Sequence, residues 1–96
     1  MIRKGNIRKM KSRVTLAAMQ VGECLTVLYV ESSEEVRRRL FDLGFAVGER
    51  IRCVGESPLG DPVMLTVGGR VIAMRRRDLK NIYGLATNKL TVGESN

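Results

Sequence analysis

Ninety-six residues, 44% of them hydrophobic, fit one compact domain with a small core and leave little room for a second. Only 4% of the residues are aromatic and neither Trp nor His occurs, so the core must be aliphatic. The lack of His also excludes Ser-His-Asp, Cys-His and two-His metal chemistry. A formal charge of +7 points toward nucleic acid or an anionic surface only once it has been located along the chain.

Its location is lopsided. Residues 1–13 carry Arg3, Lys4, Arg8, Lys9, Lys11 and Arg13 without a single acid, and the rest of the chain holds 11 basic against 10 acidic residues. The sequence therefore divides into a flexible basic arm (1–13), a nearly neutral globular part (14–83) and a loose polar tail (84–96). Thr15 is placed to cap a single helical turn through Met19, closed by Gln20-Val21-Gly22. Residues 24–31 are rich in β-branched side chains and bounded by Gly22 and Ser32, as a strand should be. Ser32 and Glu35 have the spacing of a capping box, which predicts a helix over about 33–43. Val36, Leu40 and Leu43 share one face of it, and Gly44 stands where a left-handed residue would end it. At 100° per residue Phe41 falls off that apolar stripe, on the side of Arg37 and Arg38, and becomes a candidate exposed aromatic.

Residues 49–56 alternate charged and apolar positions, with Arg50 and Arg52 outward and Ile51 and Cys53 inward. Residues 57–62, Ser-Pro-Leu-Gly-Asp-Pro, read as a stiff loop whose prolines offer no ladder donors. Gly68-Gly69 then makes a two-residue hairpin turn between 62–67 and 70–75. That turn sets Val67 opposite Arg70, Leu65 opposite Ile72 and Val63 opposite Met74, so one face of the pair is aliphatic core. A helical turn near residues 76–80 leads to Ile82-Tyr83 as a brief last strand. Five short antiparallel strands, with a helix inserted after the first, predict a mainly β fold with a small α component: a Src-homology-3-like barrel.

The chemistry that remains is surface recognition. Cys24 and Cys53 lie in strand-like runs without CxxC spacing, which suits buried thiols in a reducing cytoplasm rather than zinc ligands or a disulfide scaffold. The apolar run after the basic arm is cut short by Gln20, Gly22 and Glu23, too soon for a signal peptide or a membrane span. No GxxxxGK[ST] loop occurs, so GTP binding would belong to a partner. Asp42, Asp61 and Asp78 form no ligand-dense cluster, and neither a metal nor another cofactor is expected.

In order and spacing, several motifs resemble the FeoA family across residues 14 to about 83. They are Thr15-Leu16 with Val21-Gly22-Glu23; Arg38-Arg39-Leu40-Phe41-Asp42-Leu43-Gly44-Phe45 followed by Gly48; Pro58-Leu59-Gly60-Asp61-Pro62; and Ile72-Ala73-Met74-Arg75-Arg76. The resemblance implies a cytoplasmic, non-enzymatic Src-homology-3-like domain that serves ferrous-iron import through FeoB, a membrane permease with a cytosolic GTP-binding domain. It implies no role for the arm or the tail.

Three patches are candidates for that contact. Arg37, Arg38 and Phe41 pair an apolar anchor with guanidinium forks, a combination enriched at binding hot spots, although Phe41 could instead wedge against the barrel. Arg75 and Arg76, in a triplet with Arg77, could meet carboxylates or a nucleotide phosphate, or simply be solvated. Leu59, Gly60 and Asp61 form a stiff exposed loop that would lose little entropy on binding, or else serve only to shape the turn. Two other functions stay open: a nucleic-acid-binding barrel that uses the basic arm, and a module responding to a divalent metal. Outward-facing Met64, Thr66, Val71 and Ala73 could also support weak self-association.

Overall fold

A computed structural model describes residues 13–86, so the expectations for residues 1–12 of the arm and for the tail from residue 87 lie outside the described residues. Six strands form one antiparallel sheet: β1 (Val14–Thr15), β2 (Cys24–Val30), β3 (Arg50–Glu56), β4 (Val63–Val67), β5 (Arg70–Met74) and β6 (Ile82–Ala86), in the order β1-β6-β2-β3-β4-β5. The helix α1 (Glu34–Leu43) connects β2 to β3, and 3-10 turns follow β1 (Leu16–Ala18) and β5 (Arg76–Asp78). The mainly β class and the inserted helix match the expectation, but the strand count is six instead of five. The extra one, β1, is too short to carry a periodic signal and exists by pairing Val14 with Gly84 and Thr15 with Tyr83.

The C-terminal boundary also moves. Gly84, Leu85 and Ala86, assigned from sequence to the loose tail, continue β6 and pair with Val27, Thr26 and Leu25. Gly84 is a close-approach glycine here, because a Cβ at that position would stand 2.7 Å from the Thr26 carbonyl oxygen. Register shifts between Val27 and Tyr29, and between Cys53 and Gly55, bend β2 and β3 and let so short a sheet curl over its own core.

That core follows from strand alternation. Ile51 and Cys53 on β3, and Val63, Leu65 and Val67 on β4, are wholly buried, and the hairpin register is the one that Gly68-Gly69 dictates. Cys24 is buried as well, and both cysteines are thiols. The interior is aliphatic apart from the two thiols, Met19 and Phe45, the one aromatic ring buried in it, at 2% exposure.

Phe45 owes its place to the way α1 ends. Gly44, at φ 112°, donates to Phe41 O and Phe45 donates to Leu40 O, the paired bonds of a left-handed helix terminus. Leu40 and Phe45 are thereby both turned into the barrel, while Phe41, one step further round the helix, stays outside with 61% of its surface exposed. At the other end Ser33, rather than Ser32, is the cap, its Oγ accepting from Val36 N–H at 3.2 Å. The predicted capping box therefore does not form, since Val36 stands three residues after the cap and cannot reciprocate, and Glu35 pairs instead with Arg39 across an exposed helix turn at 3.8 Å.

Candidate functional site

The geometry of α1 sets one wall of a groove. Glu34, Arg37, Arg38 and Phe41 recur at helical spacing on a single flank, beside the inward stripe of Val36, Leu40 and Leu43. The opposite wall is built from Tyr29 and Val30 at the end of β2 and from Ala46 and Val47 in the connection after α1, with Phe45 below, and the groove encloses about 610 Å³. The connection is held in place by its backbone. Gly48 N–H donates to Val27 O at 2.8 Å, Val27 N–H donates to Glu49 O at 2.9 Å, and Glu49 N–H donates to Ala46 O at 3.0 Å. Val47 stands 73% exposed on this fixed wall, across from Phe41.

Among the described residues Arg37 and Arg38 take part in no ion pair, so their donors are turned to solvent. Tyr29 is less free to move: it stacks on Tyr83 with ring centroids 5.1 Å apart, and the guanidinium of Arg13 lies 5.8 Å from its ring centre. The groove thus combines an apolar end at Phe41 and Val47, a cationic middle at Arg37 and Arg38, and one acid, Glu34, at the start of the helix.

The other two patches meet in one structure, built around Arg76. The Arg76 guanidinium is turned inward. Nε donates to Gly60 O at 2.7 Å, Nη1 donates to Ala17 O at 2.8 Å and to Met19 O at 2.9 Å, and Nη2 meets Glu56 Oε1 at 3.0 Å. Its backbone N–H donates to the Asp61 carboxylate at 2.9 Å. Arg76 therefore ties the turn after β1, the end of β3, the 57–62 loop and the end of β5 together, and four of its five guanidinium donors are already engaged. Gly60 O and the Asp61 carboxylate are acceptors in that junction, while Leu59 projects from the loop with 95% of its surface exposed. Arg75 is exposed beside the junction. None of these residues lines the groove, so the structure joins Leu59, Gly60, Asp61 and Arg76 at one place and Arg37, Arg38 and Phe41 at another.

Sequence reasoning missed the far wall. Val47 carried a signal, an apolar side chain between two glycine turns with no strand to cover it. Tyr29 carried none, because alternation from Leu25 and Val27 sends it into the core, and only the register shift after Val27 turns it toward the groove.

Among the described residues no group of three or more Cys, Asp or Glu side chains could hold a metal ion, and no helix is long and apolar enough to cross a membrane.

Comparison with known proteins places the chain. No curated protein matches it. Among solved structures, the FeoA protein of Chlorobium tepidum is 32% identical with a TM-score of 0.65, over 75% of this chain and 70% of that one. A FeoA-like protein of Clostridium acetobutylicum is 26% identical with a TM-score of 0.73, over 80% and 90%. FeoA of Stenotrophomonas maltophilia, solved with zinc and described as an SH3 domain protein and candidate ferrous-iron transport activating factor, is 29% identical with a TM-score of 0.63, over 74% and 88%. The model of the FeoA domain matches residues 14–84, the stretch that holds the helix, the groove and all of the sheet but the end of β6, and the chain thus belongs to the FeoA family, whose members are associated with ferrous-iron transport.

Proposed function

We propose that this protein is a cytoplasmic, non-enzymatic accessory factor of ferrous-iron uptake, and that its groove binds the cytosolic GTP-binding region of a FeoB-type permease. The observation that carries this reading is the exposure of Phe41 and Val47, 61% and 73%, across a preformed groove. Two guanidinium groups without ion-pair partners among the described residues stand beside them. An aromatic anchor next to arginine, on walls fixed by backbone bonds, is the arrangement that concentrates binding energy at protein interfaces. Family membership supports the pathway, and the exposed anchor of the groove supports the contact.

Titration calorimetry of the full chain against the purified cytosolic region of such a permease tests the proposal. Measurable binding, weakened at least tenfold by Phe41→Ala, is the expected result. Absence of heat, with both proteins folded and nucleotide present, would overturn it.

A further inference from the structure

We infer that the groove selects an extended protein segment in which an apolar side chain and a carboxylate stand two positions apart, a preference that rests on reading the groove as the partner site. The argument starts from spacing. Phe41 lies three and four residues from Arg38 and Arg37, which puts the apolar end and the cationic middle about 4.5–6 Å apart along the helix axis. In an extended chain, side chains on one side recur every second residue, about 6.6 Å apart. A segment lying along α1 with its apolar residue between Phe41 and Val47 therefore brings its next same-side residue to the two guanidinium groups.

Charge decides what that residue is. Arg39, the neighbouring cation, is already paired with Glu35, whereas Arg37 and Arg38 have no such partner among the described residues. A carboxylate meets two forks there without breaking an existing pair. Glu34 lies one turn further and lines the same groove. It repels a second carboxylate at the far end, so the groove reads a single acidic position flanked by an apolar one rather than a run of acids.

Nuclear magnetic resonance titration of the full chain tests this with acetyl-Ser-Phe-Ser-Glu-Ser-amide, together with the same peptide in reversed order to cover both chain directions. Shifts confined to Phe41, Ala46, Val47 and the Arg37 and Arg38 side-chain N–H signals are expected, with millimolar affinity. A peptide with Gln for Glu should bind about fivefold more weakly, and that difference should vanish in the Arg37→Gln, Arg38→Gln double variant and at about 0.5 M salt. Equal affinity of the Glu and Gln peptides would overturn the inference. So would tighter binding, at these same residues, of a ten-nucleotide oligothymidylate or of phosphatidylglycerol vesicles. The permease measurement separates the two readings. Binding lost in Phe41→Ala but unchanged in the double variant sinks the acidic preference and keeps the permease partner; the expected peptide result with no permease binding does the reverse.

Discussion

Replacing Arg76 with alanine removes four side-chain hydrogen bonds at a junction of otherwise separate segments, and the cost can be worked out bond by bond. Three go to main-chain carbonyls of Gly60, Ala17 and Met19 at 2.7–2.9 Å, and the side chain is 26% exposed. A charge-assisted bond contributes about 1.5–3 kcal/mol when buried, and water entering the vacated space restores part of that, which leaves about 1 kcal/mol for each carbonyl. The fourth, to Glu56 with its side chain 42% exposed, contributes no more than about 1 kcal/mol. With side-chain entropy regained in the variant, the net loss is about 3 kcal/mol, or roughly 15 °C in melting temperature for a domain of this size. Urea unfolding followed by circular dichroism measures it directly. Arg76→Lys should recover less than half, because one ammonium cannot reach carbonyls spread around a planar fork. Glu56→Gln should cost under about 1 kcal/mol. The reasoning fails if Arg76→Ala lies within about 1 kcal/mol of the wild type, or if Glu56→Gln is as damaging, since the salt bridge rather than the carbonyl bonds would then carry the junction.

Gly84→Ala sets a Cβ 2.7 Å from the Thr26 carbonyl of the adjoining strand, which cannot step aside without parting β2 from β6. A loss of at least about 2 kcal/mol is expected, and faster amide exchange along residues 24–30 would report it. Gly44→Ala combines a left-handed backbone with a contact 2.6 Å from Val67 Cγ1, and should cost about 2 kcal/mol in denaturant titration. Leu40→Ala, at the one buried position of α1, should cost about 2–4 kcal/mol and loosen the helix, whereas Phe41→Ala should stay within about 0.5 kcal/mol of wild type while weakening partner binding at least tenfold.

Local chemistry explains which parts of this fold could be read in advance. The Gly68-Gly69 turn fixes its hairpin register within a dozen residues, and Gly44 terminates α1 by its own backbone freedom, so both were legible. Ser32 and Ser33 are chemically equal candidates for the cap. The spacing to Glu35 favours Ser32, yet the Val36 N–H bonds to Ser33, and a one-residue choice of that kind has no trace in composition. Gly84 reads as a terminator from sequence because the cause of its presence lies 58 residues away, in the backbone of Thr26. For the site, helical periodicity alone put Phe41 outside with Arg37 and Arg38. The far wall at Tyr29 depends on a register shift between two strands distant in sequence, and no local pattern encodes such a shift.

The arginines carry the same lesson into function. Arg75-Arg76-Arg77 and Arg37-Arg38-Arg39 are two identical triplets in one chain, and by composition each is a basic patch. In the first, the 3-10 turn after β5 points the central residue into the molecule, toward carbonyls that sit 16, 57 and 59 residues away in sequence, and the triplet becomes a fastener. In the second, the helical pitch lends Arg39 to Glu35 and leaves Arg37 and Arg38 on the groove flank with every donor still to be used. A guanidinium whose donors are satisfied internally must lose those bonds before it can meet a partner, whereas one facing water exchanges solvent for carboxylate at little cost. Availability for binding is therefore a property of the hydrogen-bond ledger around each side chain rather than of local charge density. By that criterion Arg37 and Arg38 are available to a partner, as is exposed Arg75, whereas substitutions at Arg76 should be read through stability first.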